Sequence, residues 1–197
     1  GVPIQTARTI QVFEEVRSYN YTNMTKILKN GTAVYPGCSM IIRADTHKIS
    51  GVDGLPPTYK LAHGDILLRD LIDGDYINYN RQPTLSFSSI AGYRVMVLRE
   101  GNTIRMNASA CAWHNADFDG DCMIGIVAQE LQAIIEIGYT SSSRNFVISY
   151  RTGTATVGAF QDTLIGAAKM TSANNPPVIR SKAMRLFANI DRLGIGN

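Results

Sequence analysis

The chain has 197 residues, 45% of them hydrophobic and 18% charged, a globular composition that excludes a disordered or collagen-like polymer. Nineteen basic residues against 16 acidic ones give a net charge of +3, which permits a nucleic-acid partner without requiring one. Three cysteines, Cys38, Cys111 and Cys122, are odd in number and far apart, so a secreted disulfide framework is not expected and a reducing interior is. The longest clean apolar run, 122–128, is far too short to cross a bilayer. The chain opens on Gly1 rather than Met, and it is expected to be a piece of something longer.

Residues 1–21 read as an extended segment. Thr22 is placed to cap a helix that runs to Asn30, with Gly31 as its stop. The run 39–43 reads as a strand, and the Gly- and Pro-rich stretch 51–58 as a loop. Short strands are predicted at 66–69 and 76–79, with Asp73-Gly74-Asp75 as the turn between them. Tyr93 to Leu98 alternates and is β-branched. With the turn at 100–102 and a return at 103–106, it is the best hairpin pattern in the chain, and 109–112 could continue it. The run 123–127 reads as a buried strand, 129–137 as a helix ended by Gly138, and 146–148 as a strand. Beyond a soft boundary near 150–158 the pattern turns helical, over 161–170 and again over 179–193. The basic residues from Lys169 onward read as a solvated face.

One segment carries chemistry. Asn115-Ala116-Asp117-Phe118-Asp119-Gly120-Asp121 alternates three carboxylates over five residues. In an extended chain such residues face one side, and Gly120 allows a sharp turn that lets them converge. Clustered anions raise one another's pKa, and a divalent cation removes the repulsion. An all-oxygen ligand set suits Mg²⁺ or Ca²⁺. A polar surface loop is the plainer alternative. A helix-loop-helix Ca²⁺ loop is not, because Cys122 and Ala128 occupy the positions that would need Gly and Glu. Zinc on Cys111, His114 and Cys122 fits no standard spacing and lacks a fourth ligand. Cys122 reads as a packed thiol, and Trp113 as core or subunit interface.

The same segment resembles the active-site motif of the largest subunit of multisubunit DNA-dependent RNA polymerases. Tyr79-Asn80-Arg81-Gln82-Pro83-Thr84-Leu85 is similar to that family's second motif. Gly1-Val2-Pro3, Tyr35-Pro36-Gly37, Ile41-Ile42-Arg43, the run 103–107 and the run 158–164 also fit, so the resemblance covers essentially the whole chain. Gln82 points to the eukaryotic, archaeal or large-DNA-virus branch. Two departures from the family pattern, at 86–93 and at 122–124, suggest a divergent, viral member.

The resemblance implies a mainly β α+β fold: a double-psi β-barrel with flanking helices over 1–155, and the helical start of a pore or funnel region over 156–197. It implies that Asp117, Asp119 and Asp121 are catalytic and hold Mg²⁺ for two-metal ribonucleotidyl transfer. Arg81 and Asn115 would read the sugar of the incoming nucleotide, with Gln82 and Pro83 shaping the loop that aims Arg81. Implied partners are the second-largest and other polymerase subunits, DNA template, RNA product and nucleoside triphosphates, with no membrane. The implied location is intracellular: nucleus, or cytoplasm and virion for a virus. The family's subunits are several times longer, so activity is expected only within a complex. The alternative is a non-catalytic scaffold or interaction fragment that keeps the fold.

Overall fold

The computed structural model describes residues 1–56, 58–158, 162–172, 174 and 179–185. The chain divides into two compact units, Gly1–Gly158 and Ala159–Asn197.

The first unit is a mixture of short strands and helices. In chain order its regular elements are β1 (Val2–Pro3), α1 (Ile4–Thr9), β2 (Gln11–Glu15), α2 (Tyr21–Asn30), β3 (Cys38–Ile42) and β4 (Ile49–Gly51). There follow β5 (Ile66–Asp70), β6 (Tyr76–Arg81), β7 (Ile90–Arg94), β8 (Val97–Leu98), α3 (Cys111–His114), β9 (Met123–Val127) and α4 (Leu131–Tyr139). They form an antiparallel four-stranded sheet ordered β2-β5-β3-β4, an antiparallel three-stranded sheet ordered β7-β6-β9, and a parallel pair β1-β8. Among the described residues none of these sheets closes into a barrel. In the second unit α5 (Asp162–Met170) is helical, as are the described residues 180–185. The rest of the helix expected over 179–193 lies outside the described residues. No described helix is long and apolar enough to cross a membrane.

Two cores hold the first unit. Met24 and Ile27 of α2 pack on Cys38, Ile41 and Leu67 of the four-stranded sheet, with Val16 and Leu61. A second core joins Val2, Ala7, Val12, Leu71, Ile77 and Val95. Full burial of side chains this size stabilises the fold by about 1.5–3 kcal/mol each. Between α2 and the 52–61 loop lies a groove of about 870 Å³, lined by Tyr21, Leu28, Asp53, Tyr59 and Lys60 among others. It shares no residue with the carboxylate segment.

Several expectations are corrected here. The predicted hairpin 93–106 does not form. The return strand is absent because its backbone is used elsewhere: Arg105 N donates to Gly1 O at 2.8 Å, and the Gly1 ammonium donates to Arg105 O at 2.7 Å. The strand half is split into β7 and β8, and β8 pairs with β1 rather than with its sequence neighbour. Residues 109–112 enter a 3-10 turn and α3 instead of a strand. The expected strand at 146–148 does not form: Phe146 ends a 3-10 turn, Ser143–Phe146, and Ile148 makes a single bridge to Ala155. Within 1–21 a short helix, α1, replaces extended chain and buries Ala7. Helix α2 starts two residues early, at Tyr21. Asn20 stands at its N-cap and its side chain accepts from Arg17 N instead of capping the helix. The strand β9 is not buried: Ile124 and Ile126 are exposed.

One buried cation joins the four-stranded sheet to the turn that starts β6. Arg69, 5% exposed, donates Nη1 and Nη2 to the two Asp75 oxygens at 2.8 Å each, Nη1 to the Asp70 carbonyl at 2.9 Å, and Nε to Glu14. Removing one partner of a buried ion pair leaves the other charge uncompensated. Arg69→Met is therefore expected to destabilise the chain by about 3–5 kcal/mol in a chemical denaturation series. A second test concerns Gly92 on β7, which lies against α4. An added Cβ would sit 2.5 Å from the Ile137 carbonyl oxygen and 2.7 Å from its Cγ2. Gly92→Ala is expected to cost about 1–3 kcal/mol by overpacking in the same assay.

Candidate metal and nucleotide site

Two loops meet at the site, and one strand pair brings them together. Strand β6 runs antiparallel to β9, with Arg81 opposite Met123. The end of β6 carries Arg81, and the loop entering β9 carries Asp121, two residues before Met123. Pairing across 40 residues of sequence thus sets the guanidinium beside the carboxylate. Arg81 Nε donates to Asp121 Oδ2 at 2.5 Å, and Arg81 Nη2 donates to Asp121 Oδ1 at 3.0 Å. This is the bidentate fork geometry in which arginine holds a carboxylate. It holds the Asp121 carboxyl below its usual range.

The carboxylate loop begins where α3 ends. Asn115 sits at φ 50°, ψ 45°, the left-handed conformation. Asn is among the few residues that adopt it readily, and it reverses the chain out of the helix. Ala116 is buried, and its N–H donates to the Cys111 carbonyl at 3.1 Å. Gly120 has φ 121°, which a side chain would strain. The Asp117 N–H donates to Asp121 Oδ2 at 3.1 Å, closing the turn on itself.

The result is convergence. One oxygen from each of Asp117, Asp119 and Asp121 lies within 4.8 Å of the other two. Among the described residues this is the group of acidic, His or Cys side chains that could hold a metal ion. The Asp117 carboxyl is pushed above its ordinary value. The largest cause is the adjoining Asp119 carboxyl, followed by burial and by the charges of Asp119 and Asp121. Asp117 Oδ1 is buried without a hydrogen-bond partner. A buried, unpartnered carboxylate oxygen is costly unless a cation or a proton meets it. The donor set is all oxygen and suits a hard divalent cation. On both counts the residues fit Mg²⁺.

The other expected site residues divide. Arg81 is drawn into the carboxylate cluster, and Asn115 opens the loop with its side chain exposed. Gln82 and Pro83 lie next to Arg81 but are exposed, joined by a cis peptide bond. Cys122, expected to be packed, is exposed, because the chain emerges from the turn toward solvent before β9 begins. Cys111 is buried and does not join it. Trp113 is half-buried and donates Nε1 to the Tyr93 hydroxyl at 2.8 Å.

Sequence reasoning missed the support beneath the loop. His114, the residue before Asn115, is 2% exposed and bonded through both ring nitrogens, to Tyr93 and to Ser89. A lone His beside a motif is a faint signal. Its partners, 21 and 25 residues upstream, could not be read from spacing.

Comparison with known proteins gives the family. Residues 1–140 match the family model described as RNA polymerase Rpb1, domain 2. A DNA-directed RNA polymerase RPB1 homolog of African swine fever virus (isolate Tick/South Africa/Pretoriuskop Pr4/1996) is 40% identical over 178 residues, covering 89% of this chain and 12% of the relative. DNA-directed RNA polymerase subunit 1 of Acanthamoeba polyphaga mimivirus is 35% identical over 85% of this chain and 12% of its own. The Rpo1N subunit of Thermococcus celer is 35% identical over 87% of this chain and 19% of its own. The chain thus spans a small part of these relatives. The family model covers well over half of the chain, including both loops of the site, and the chain belongs to the RNA polymerase Rpb1 domain 2 family.

Proposed function

We propose that this chain is the catalytic core segment of a DNA-directed RNA polymerase and supports template-directed ribonucleotidyl transfer within a multisubunit complex. The observation that carries the reading is the convergence of three carboxylate oxygens within 4.8 Å, with one buried oxygen left unpartnered on Asp117. Asp117, Asp119 and Asp121 would hold Mg²⁺. When bound, the metal supplies charge neutralisation at the reacting phosphate and acidifies the attacking hydroxyl.

The protein's own groups do the rest. Asp117, Asp119 and Asp121 fix the place where positive charge can sit. The Asp121 carboxylate is kept ionised by Arg81, so it is ready to bind a cation at any pH above the acid range. Arg81 uses Nε and Nη2 on Asp121, which leaves Nη1 for an incoming sugar. The exposed Asn115 amide offers both a donor and an acceptor. Together they suit the two hydroxyls of a ribose. Gln82 and Pro83 shape the turn that follows Arg81.

The double-psi β-barrel remains the proposed architecture of 1–155, with β1, β6, β7, β8 and β9 among its strands. Residues 156–197 are assigned to the start of the pore or funnel region. The proposed partners are the second-largest subunit, further polymerase subunits, DNA, RNA and nucleoside triphosphates. The names of the viral and archaeal relatives support a polymerase subunit, and the proposed location is intracellular: nucleus, or cytoplasm and virion.

Primer extension on an RNA–DNA scaffold tests the reading, using the purified complex that contains this chain. Asp119→Ala is expected to reduce extension by at least about 10³-fold while assembly is unchanged. Full extension by the variant would move the chemistry elsewhere and leave this chain a scaffold. The metal requirement should also depend on pH. A carboxyl with a raised pKa must lose its proton before it can hold a cation. Because the Asp117 carboxyl is raised, the Mg²⁺ concentration for half-maximal extension is expected to climb as pH falls toward the acid range. Asp117→Asn should flatten that dependence while raising the requirement at every pH.

A further inference from the structure

His114 closes a hydrogen-bonded chain whose direction its partners dictate. Its Nδ1 lies 2.9 Å from the Ser89 carbonyl. A carbonyl only accepts, so Nδ1 carries the hydrogen. In a neutral imidazole Nε2 then accepts, and the Tyr93 hydroxyl, 2.7 Å away, donates to it. The Tyr93 oxygen in turn accepts from Trp113 Nε1 at 2.8 Å. Tyr79 of β6 stands edge-on to both the His114 and the Tyr93 rings, at 6.0 and 6.4 Å. Burial lowers the His114 pKa and raises that of Tyr93, in keeping with a neutral pair.

The bond to Ser89 has a particular place in the fold. Ser89 is buried at the end of the segment that starts from Arg81, just before β7. His114 is the last residue of α3, and the carboxylate loop starts at the next residue. One hydrogen bond therefore joins the bases of the two loops that make the site. Their tips are joined separately, by Arg81 on Asp121. That second join draws on the same guanidinium that a sugar would engage. The tip contact uses Nε and Nη2 and leaves Nη1 for the sugar, so the base contact is the second tie that keeps that group in register with the carboxylate loop.

We propose that His114 is a positioning residue that keeps the Arg81 loop in register with the carboxylate loop, and so sets how strongly ribose is preferred over deoxyribose. The inference rests on the reading that Arg81 engages the nucleotide sugar. A displacement of about 1 Å in a positioned group can cost up to about 100-fold, so discrimination should be sensitive to this bond.

The test is the ratio of kcat/KM for a ribonucleotide to that for the matching deoxyribonucleotide, in single-nucleotide extension by the assembled polymerase. The ratio cancels the fraction of active enzyme, so a general loss of stability does not move it. His114→Phe keeps a ring and loses the Ser89 bond, and is expected to lower the ratio about tenfold. His114→Asn places an amide N–H near the Nδ1 position and is expected to keep the ratio within about twofold of wild type. His114→Gln carries its amide further out, near Nε2, and is expected to behave like His114→Phe, which covers the case in which the Phe variant does not assemble. Arg81→Lys is the control and should lower the ratio by itself. If Arg81→Lys lowers it while the Phe and Gln variants match wild type, or if Asn falls as far as Gln, the role of His114 is overturned and the sugar-reading role of Arg81 stands. If Arg81→Lys leaves the ratio unchanged, the reading of Arg81 fails and the inference falls with it.

Discussion

Three carboxylates held within 4.8 Å of one another are the constraint around which the site is arranged. Like charges at that range repel, and in a partly desolvated turn the repulsion is screened less than in water. Each visible feature of the loop answers it. Arg81 neutralises Asp121 through two hydrogen bonds. The Asp117 backbone N–H turns toward Asp121 as well. What remains falls on Asp117, whose carboxyl is pushed upward and whose buried Oδ1 has no partner. On the proposed reading, a cation bound here would relieve that repulsion.

The scaffold makes that crowding possible by pairing β6 with β9. Arg81 ends one strand opposite Met123, at the start of the other, so the two loops project from the same end of one sheet. The position of β6 depends in turn on Arg69. Its guanidinium grips Asp75 at the turn before β6 and reaches back to Glu14 and the Asp70 carbonyl. A buried cation in the four-stranded sheet thus fixes the strand that carries the half-buried cation of the site. On the other side His114 ties α3 to Ser89. Rigid elements on both sides suit a site in which misplacement of a positioned group is costly.

The sequence disclosed the carboxylate cluster more fully than the architecture. Alternation of Asp117, Asp119 and Asp121 around Gly120 was enough to predict convergence, because those offsets depend only on local backbone geometry. Helix α2 and strands β3, β5, β6 and β9 were legible from periodicity for the same reason. The hairpin at 93–106 was not, since the competing partner of 103–106 was Gly1, about a hundred residues away in sequence and invisible to a local pattern. The Arg81–Asp121 pair was hidden by the same kind of separation. Arg81 stood out by its resemblance to a family motif, while its present partner followed only from strand register. The support around His114 was illegible because aromatic and histidine residues at irregular spacing are ordinary core composition. Exposure of Cys122 and of Ile124 and Ile126 contradicted an apolar run that read as buried.

The proposed function depends most directly on the three carboxylates holding one divalent cation. Manganese replaces magnesium at oxygen sites and scatters anomalously, so the direct measurement is an anomalous difference map of the assembled polymerase crystallised with Mn²⁺. The expected result is a peak bounded by carboxylate oxygens of Asp117, Asp119 and Asp121. A map with Mn²⁺ bound elsewhere and the Arg81–Asp121 fork unaltered, at a metal concentration that supports extension, would contradict it.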